Sequence, residues 1–116
     1  MENLNLLNDF FGYIPNFHDS EITEVNLNRT GPNINMAIHI FEITPRITVG
    51  KSCLVYIIFE GVVEMELRDF NIQNVIFEID FLKMDGVIKT TIDSSYGLNG
   101  YIVASKVYIN ELKELS

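Results

Sequence analysis

The chain has 116 residues, 47% of them hydrophobic, which is enough to bury one continuous core and too short for two ordinary domains; a single domain over residues 1–116 is expected. Sixteen acidic against eight basic residues give a formal charge of -8, which disfavours nucleic-acid phosphates and anionic membranes and favours a cationic partner. The single cysteine, Cys53, excludes an internal disulfide and reads as a small buried hydrophobe.

The first stretch, MENLNLLNDFFGYIP, has an acid at Glu2, no basic n-region and no small-residue cleavage site, so it does not read as a secretory signal. With no apolar run of membrane-spanning length either, cytoplasmic residence is expected. Leu4, Leu7, Phe10 and Phe11 recur at helical spacing and Gly12 stands where it can close the turn, which predicts a short N-terminal helix packed on a sheet.

Strands fill the rest. EITEVNLNR and NINMAIHIFEI flank TGP and predict a first pair, with Ile34, Met36, Ile38 and Ile40 on one face. CLVYIIFEG is nearly continuous in apolar residues and predicts a central strand covered on both faces. In VVEMELR, Val63, Met65 and Leu67 are expected in the core, with Glu64, Glu66 and Arg68 in water. In VIFEIDFLK, after the turn residues DFNIQN, Phe77, Ile79 and Phe81 are expected inside and Glu78 and Asp80 outside.

Two-residue Asp-Gly and Asn-Gly loops favour type I′ hairpins and so fix register. A turn at Asp85-Gly86 pairs Met84 with Val87, Phe81 with Thr90, Ile79 with Ile92 and Asp80 with Thr91. A turn at Asn99-Gly100 would pair Leu98 with Tyr101, Tyr96 with Val103 and Ile92 with Val107. The closing NELKELS reads as a helical turn or a frayed tail. The expected fold is mainly β, an antiparallel meander forming a small barrel or a sandwich, with the short helix covering one opening.

Chemistry has few places to sit. His18, Asp19, Ser20 and Glu21 are adjacent, but neighbours along an extended chain point to opposite sides, so they do not make a triad by themselves. A hydrolase or metal site there would need His39 or a distant carboxylate within ligand distance; the plainer reading is local hydrogen bonding after the Pro15 turn, and no metal or cofactor is expected. Gly97 and Gly100 have no following helix and do not form a phosphate loop. Tyr56, Tyr96, Tyr101 and Tyr108 fall on strands or their ends, with buried rings and wet hydroxyls expected. If VVEMELR and VIFEIDF are neighbours, Glu64, Glu66, Glu78 and Asp80 crowd together with Arg68 and Lys89 as counter-charges, an acidic surface suited to a basic partner.

The helix running into GYIPNFHDSEITEVNLNRTGPNINMAIHI, then FEGVVEMELRDFNIQNVIFEIDF and SSYGLNGYIVASKVYI, resembles the immunity protein 50 family of bacterial polymorphic-toxin systems. The spacing of Phe59, Gly61, Val62, Glu64, Glu66 and Leu67, followed by Phe70-Asn71 and Asn74, carries the likeness. The resemblance implies a cytoplasmic, non-enzymatic protein that neutralises a cognate toxin by binding it, encoded beside that toxin. Gly61, Phe70, Asn71 and Asn74 are read as turn and packing positions rather than contacts. The rival reading is a barrel holding a small ligand in a cavity lined by Phe10, Phe77 or Phe81 with one buried polar group. Homodimerisation through an exposed edge strand is left open.

Overall fold

The computed structural model describes residues 1–43 and 50–115. One helix, α1 (Asn5–Phe11), precedes six strands: β1 (Glu21–Asn28), β2 (Asn33–Ile43), β3 (Gly50–Arg68), β4 (Val75–Met84), β5 (Val87–Tyr96) and β6 (Asn99–Leu115). The strands close into an antiparallel barrel in the order β1-β2-β3-β6-β5-β4. Two three-stranded meanders, β1–β2–β3 and β4–β5–β6, are therefore joined along β3 and β6 and meet again where β4 reaches β1. Of the two architectures expected, the barrel is the one formed.

The helix ends as its sequence predicts: Gly12 takes φ +85° and its N–H donates to Asn8 O at 2.8 Å. Leu7 and Phe11 are buried in the barrel's hydrophobic core. Asn3 Nδ2 donates to Ile109 O, and Glu2 bridges to Tyr108, which ties the segment before the helix to β6. The core runs through Ile34, Met36, Ile38 and Ile40 of β2 and Cys53, Val55, Ile57 and Phe59 of β3. Burial of these β3 residues alternates with half-burial of Leu54, Tyr56 and Ile58, so β3 has one inner and one outer face and is not covered on both. A barrel wall has only one dry side.

Nineteen residues of β3, fully extended, would span about 60 Å, yet the molecule's longest extent is 42 Å. The strand is therefore not straight, and its register with β6 shifts twice, with Asn110 of β6 extra between Tyr56 and Ile57 and a bulge of β3 itself between Val62 and Glu64. At the second shift Val63 is the extra residue, and it lies 70% exposed instead of inside. Met65 follows it at the rim and is exposed as well. A comparable shift between Ile76 and Glu78 in β4 turns Ile76 inward and leaves Phe77 exposed, while Ile79 and Phe81 pack partly on the core. Both departures from the alternating pattern have this cause.

The Asp85-Gly86 turn gives the register read from it, with Met84 opposite Val87, Phe81 opposite Thr90, Ile79 opposite Ile92 and Asp80 opposite Thr91. The Asn99-Gly100 turn does not form. Ile92 lies opposite Gly100, Thr91 opposite Tyr101 and Thr90 opposite Ile102, a slip of seven positions from the expected ladder. The chain reverses earlier, at Gly97 (φ +90°), where Ser94 N–H donates to Asn99 Oδ1 and Ser94 Oγ to Gly97 O, each at 3.0 Å. Gly100 serves a different purpose: a Cβ there would stand 1.9 Å from Glu66 O, so its absence lets β6 approach β3. At the other end β6 continues as strand to Leu115, pairing with Ser52, so NELKEL is neither helical nor frayed.

Candidate functional site

The polar stretch 16–21 forms the seam that closes the barrel. Phe17 and Asp19 both take φ +65°, a left-handed pair that lets the chain turn sharply after Pro15 and bury the Phe17 ring. Ser20 N–H then donates to Phe17 O at 3.0 Å. Across the seam Asp19 N–H donates to Ile76 O (2.9 Å), Ile76 N–H to Ser20 O (2.8 Å) and Ile22 N–H to Asn74 O (2.8 Å). Glu21 opposite Val75 is the one ladder pair between β1 and β4 among the described residues.

Asn74 holds this seam from below. It is 2% exposed; its Oδ1 accepts from Asn71 N–H (2.9 Å) and Leu98 N–H (3.0 Å), and its Nδ2 donates to Asn71 O (2.9 Å) and Ile22 O (3.4 Å). One carboxamide thus links the β3–β4 connection, β1 and the turn into β6. Asn74 and Asn71 are structural, as their sequence pattern suggests; Gly61 stands at the bend of β3 against Ser105, whereas Phe70 is exposed. Sequence reasoning placed Asn74 in a turn but did not foresee its reach, since its partners lie 24 and 52 residues away.

His18 and Asp19 do not converge with a catalytic or metal-binding set. His18 Nδ1 lies 2.7 Å from Phe77 O, its ring stands edge-on to Phe77, and its Nε2 is 3.6 Å from Asp19 Oδ1, both side chains being substantially exposed. His39 is elsewhere: it sits opposite Glu21 on β2 and its Nε2 hydrogen-bonds Ser52 Oγ. Among the described residues no group of three His, Cys, Asp or Glu side chains is placed to hold a metal ion. His39, Ser52 and Glu21 share an outer face, but the Glu21 carboxylate forms no ion pair with His39, and Ser52 pairs with Phe41 on one side and, at the end of the β3–β6 ladder, with Leu115 on the other.

The four acids fall on one outer face but not on neighbouring strands, since β6 and β5 stand between β3 and β4. Pairing runs Glu66–Tyr101–Thr91–Asp80 in one row and Glu64–Val103–Lys89–Leu82 in another. Glu66 and Asp80 are therefore about 14 Å apart, three strand spacings, rather than in contact. Tyr101 lies between: its hydroxyl donates to Glu64 Oε1 at 2.9 Å and Lys89 Nζ stands 4.8 Å from its ring centre. The hydrogen bond to Glu64, with slight burial and the charges of Glu64 and Glu66, holds the tyrosine hydroxyl above its ordinary pKa. Glu66 accepts from Arg68 Nη1 at 3.3 Å, and Glu78 faces Asp93 with like charge. Arg68 and Lys89 are thus already engaged within the face.

The chain that forms this barrel, with its N-terminal helix, its Asn74-centred seam and its acidic outer face, is matched by the family model described as Immunity protein 50 over residues 3–114. The chain belongs to the immunity protein 50 family. The match spans α1 and all six strands, so the family's pattern encloses the seam and the acidic face together. Neither the curated proteins nor the solved structures provide a match to this immunity protein 50 chain.

Two surface clefts contain Phe81, one of about 410 Å³ with Met1, Lys83 and Met84 and one of about 340 Å³ with Leu4, Pro15 and Phe17. Thr90, opposite Phe81 on β5, is fully buried and its hydroxyl has no partner, yet it lines neither cleft. Phe77 lines a third cleft, of about 350 Å³, with Asn16 and His18, and Thr90 is not among its lining residues either, so these clefts do not bring the expected phenylalanines and the buried polar group together. Among the described residues no helix is long and apolar enough to cross a membrane.

Proposed function

We propose that this single-domain protein neutralises a cognate bacterial toxin in the cytoplasm by binding it, without catalysis, as part of a polymorphic-toxin system. The contact surface is the outer face of β3, β6, β5 and β4, with Glu64, Glu66, Glu78 and Asp80 distributed around Tyr101. The observation that carries this reading is the membership of an immunity protein family in a chain of charge -8 whose acids share a face on which Arg68 and Lys89 are already engaged. Such a field speeds encounter with a basic surface and disfavours wrong partners, and a half-buried tyrosine at its centre supplies an apolar contact.

The test is binding to, and growth rescue from, the toxin domain encoded beside this chain's gene, at low and high salt. Tight binding that weakens with salt, and rescue that is lost when Glu64, Glu66, Glu78 and Asp80 are all changed to Ser, are expected. Undiminished affinity in that variant would sink the assignment of the face. Absence of binding by the wild-type chain at micromolar concentrations would sink the function.

A further inference from the structure

The barrel closes, but the end segments of two of its strands run past their partners on one side. β2 last pairs with β3 at Ile34–Phe59, after which Val62 N–H donates to Pro32 O. From residue 63 to 68, β3 pairs with β6 alone among the described strands. Facing it, β1 leaves β4 after the Ile22–Asn74 bond and keeps only β2. Between these two lips lies an apolar groove of about 260 Å³, lined by Val25, Leu27, Met65, Leu67, Phe70 and Leu98. Leu27 is 56% and Phe70 55% exposed, a large apolar contribution beside an unpaired strand edge.

Resting on the toxin-binding reading above, we infer that the groove receives an extended, basic segment of the toxin, which adds a strand to the edge of β3 at residues 63–68. On β3, Met65 and Leu67 face the groove while Glu64, Glu66 and Arg68 alternate to the outside. A complementary segment alternates apolar side chains toward Leu27 and Phe70 with lysine or arginine toward Glu64 and Glu66, main-chain hydrogen bonds supplying affinity and the alternation supplying selectivity. Charge decides the occupant. Glu24, Glu64, Glu66 and Asp69 are exposed and stand next in the chain to the lining residues Val25, Met65, Leu67 and Phe70, and Arg68, between Leu67 and Phe70, is already bound to Glu66. A second copy would bring Glu64 and Glu66 against their own kind on a chain of charge -8. The bulged Val63 and these charges guard the edge against self-pairing, whereas a basic strand turns the same charges into contacts.

Hydrogen exchange of the wild-type chain, alone and bound to a catalytically inactivated toxin domain encoded beside it, tests this. Among residues 64–68, the amides that point away from β6 and so lie on the free edge are expected to exchange at least tenfold more slowly in the complex, and L27K and F70K to weaken binding at least tenfold. I72K, on the neighbouring loop, is expected to leave binding unchanged. A tight complex without added protection of these free-edge amides overturns the strand addition and leaves toxin binding standing. Protection there in the free chain, together with the mass of a dimer, overturns the choice of occupant. Failure of the wild-type chain to bind removes both readings.

Discussion

The seam at residues 17–22 and the outer face of β3, β6, β5 and β4 are both rich in polar side chains, and they use them in opposite ways. At the seam the donors and acceptors are turned inward on the protein's own backbone: Ser20 is buried, His18 meets Phe77 O, and Asn74 serves Asn71, Leu98 and Ile22. On the outer face, strand alternation leaves carboxylates in water with Tyr101, Arg68 and Lys89 among them. Density of polar residues is therefore a poor guide to function; what matters is how much of their hydrogen-bonding and charge is already used. The seam closes the fold, and the face remains available to another molecule.

Substitutions at the two regions should separate stability from binding. The largest loss is expected from Asn74→Ala, which removes a buried carboxamide and leaves Leu98 N–H unpaired. About 3 kcal/mol of unfolding free energy should disappear in urea titrations; a loss below about 1 kcal/mol would mean that the seam does not depend on this residue. Gly97→Ala comes next. Its Cβ would stand 2.5 Å from both Gln73 O and Asn74 Oδ1 at φ +90°, so a loss of about 2 kcal/mol is expected in the same assay.

Cys53 calibrates the interior shared by both regions. Burial, then the charge of Glu114, pushes its thiol up to about 11. The folded value lies above the unfolded one, so the contribution of this group is fully present below the ordinary thiol value of 9.0 and is lost as pH rises through about 11. Thermal melts should therefore fall more steeply over that interval for the wild type than for Cys53→Ala. Alkylation at pH 8 should be negligible until the protein unfolds. The smallest effect is expected at the face: Glu78→Ser relieves the like-charge pairing with Asp93 and should raise stability by about 0.3 kcal/mol, an increment that 1 M salt removes.

Local rules carried much of the fold. The helix spacing with Gly12, the inward face of β2, the buried Cys53 and the Asp85-Gly86 register all follow from residues near one another in sequence. The Asn99-Gly100 pair misleads because Gly100 is needed for close approach to Glu66 and Asn99 turns its side chain back to Ser94 and Gly97. Val63 and Phe77 escape the alternating pattern because a bulge shifts parity by one residue, and nothing in a short window marks where it falls. Strand order was the least legible feature. That β3 meets β6 rather than β4 is decided by long-range closure, and it separates acids whose outward direction alternation had given correctly. Asn74 was visible as a residue but not as a hub, because its partners are brought to it by the same closure.

The most direct test is one titration series against the neighbouring toxin domain, with three proteins of verified fold: wild type, His18→Ala/Asp19→Ser, and the variant with Glu64, Glu66, Glu78 and Asp80 changed to Ser. The expected result is an unchanged Kd for the seam variant and a Kd at least tenfold higher for the face variant, with a shallower salt dependence. A face variant that binds like wild type while the seam variant fails would contradict the division of labour between the two regions.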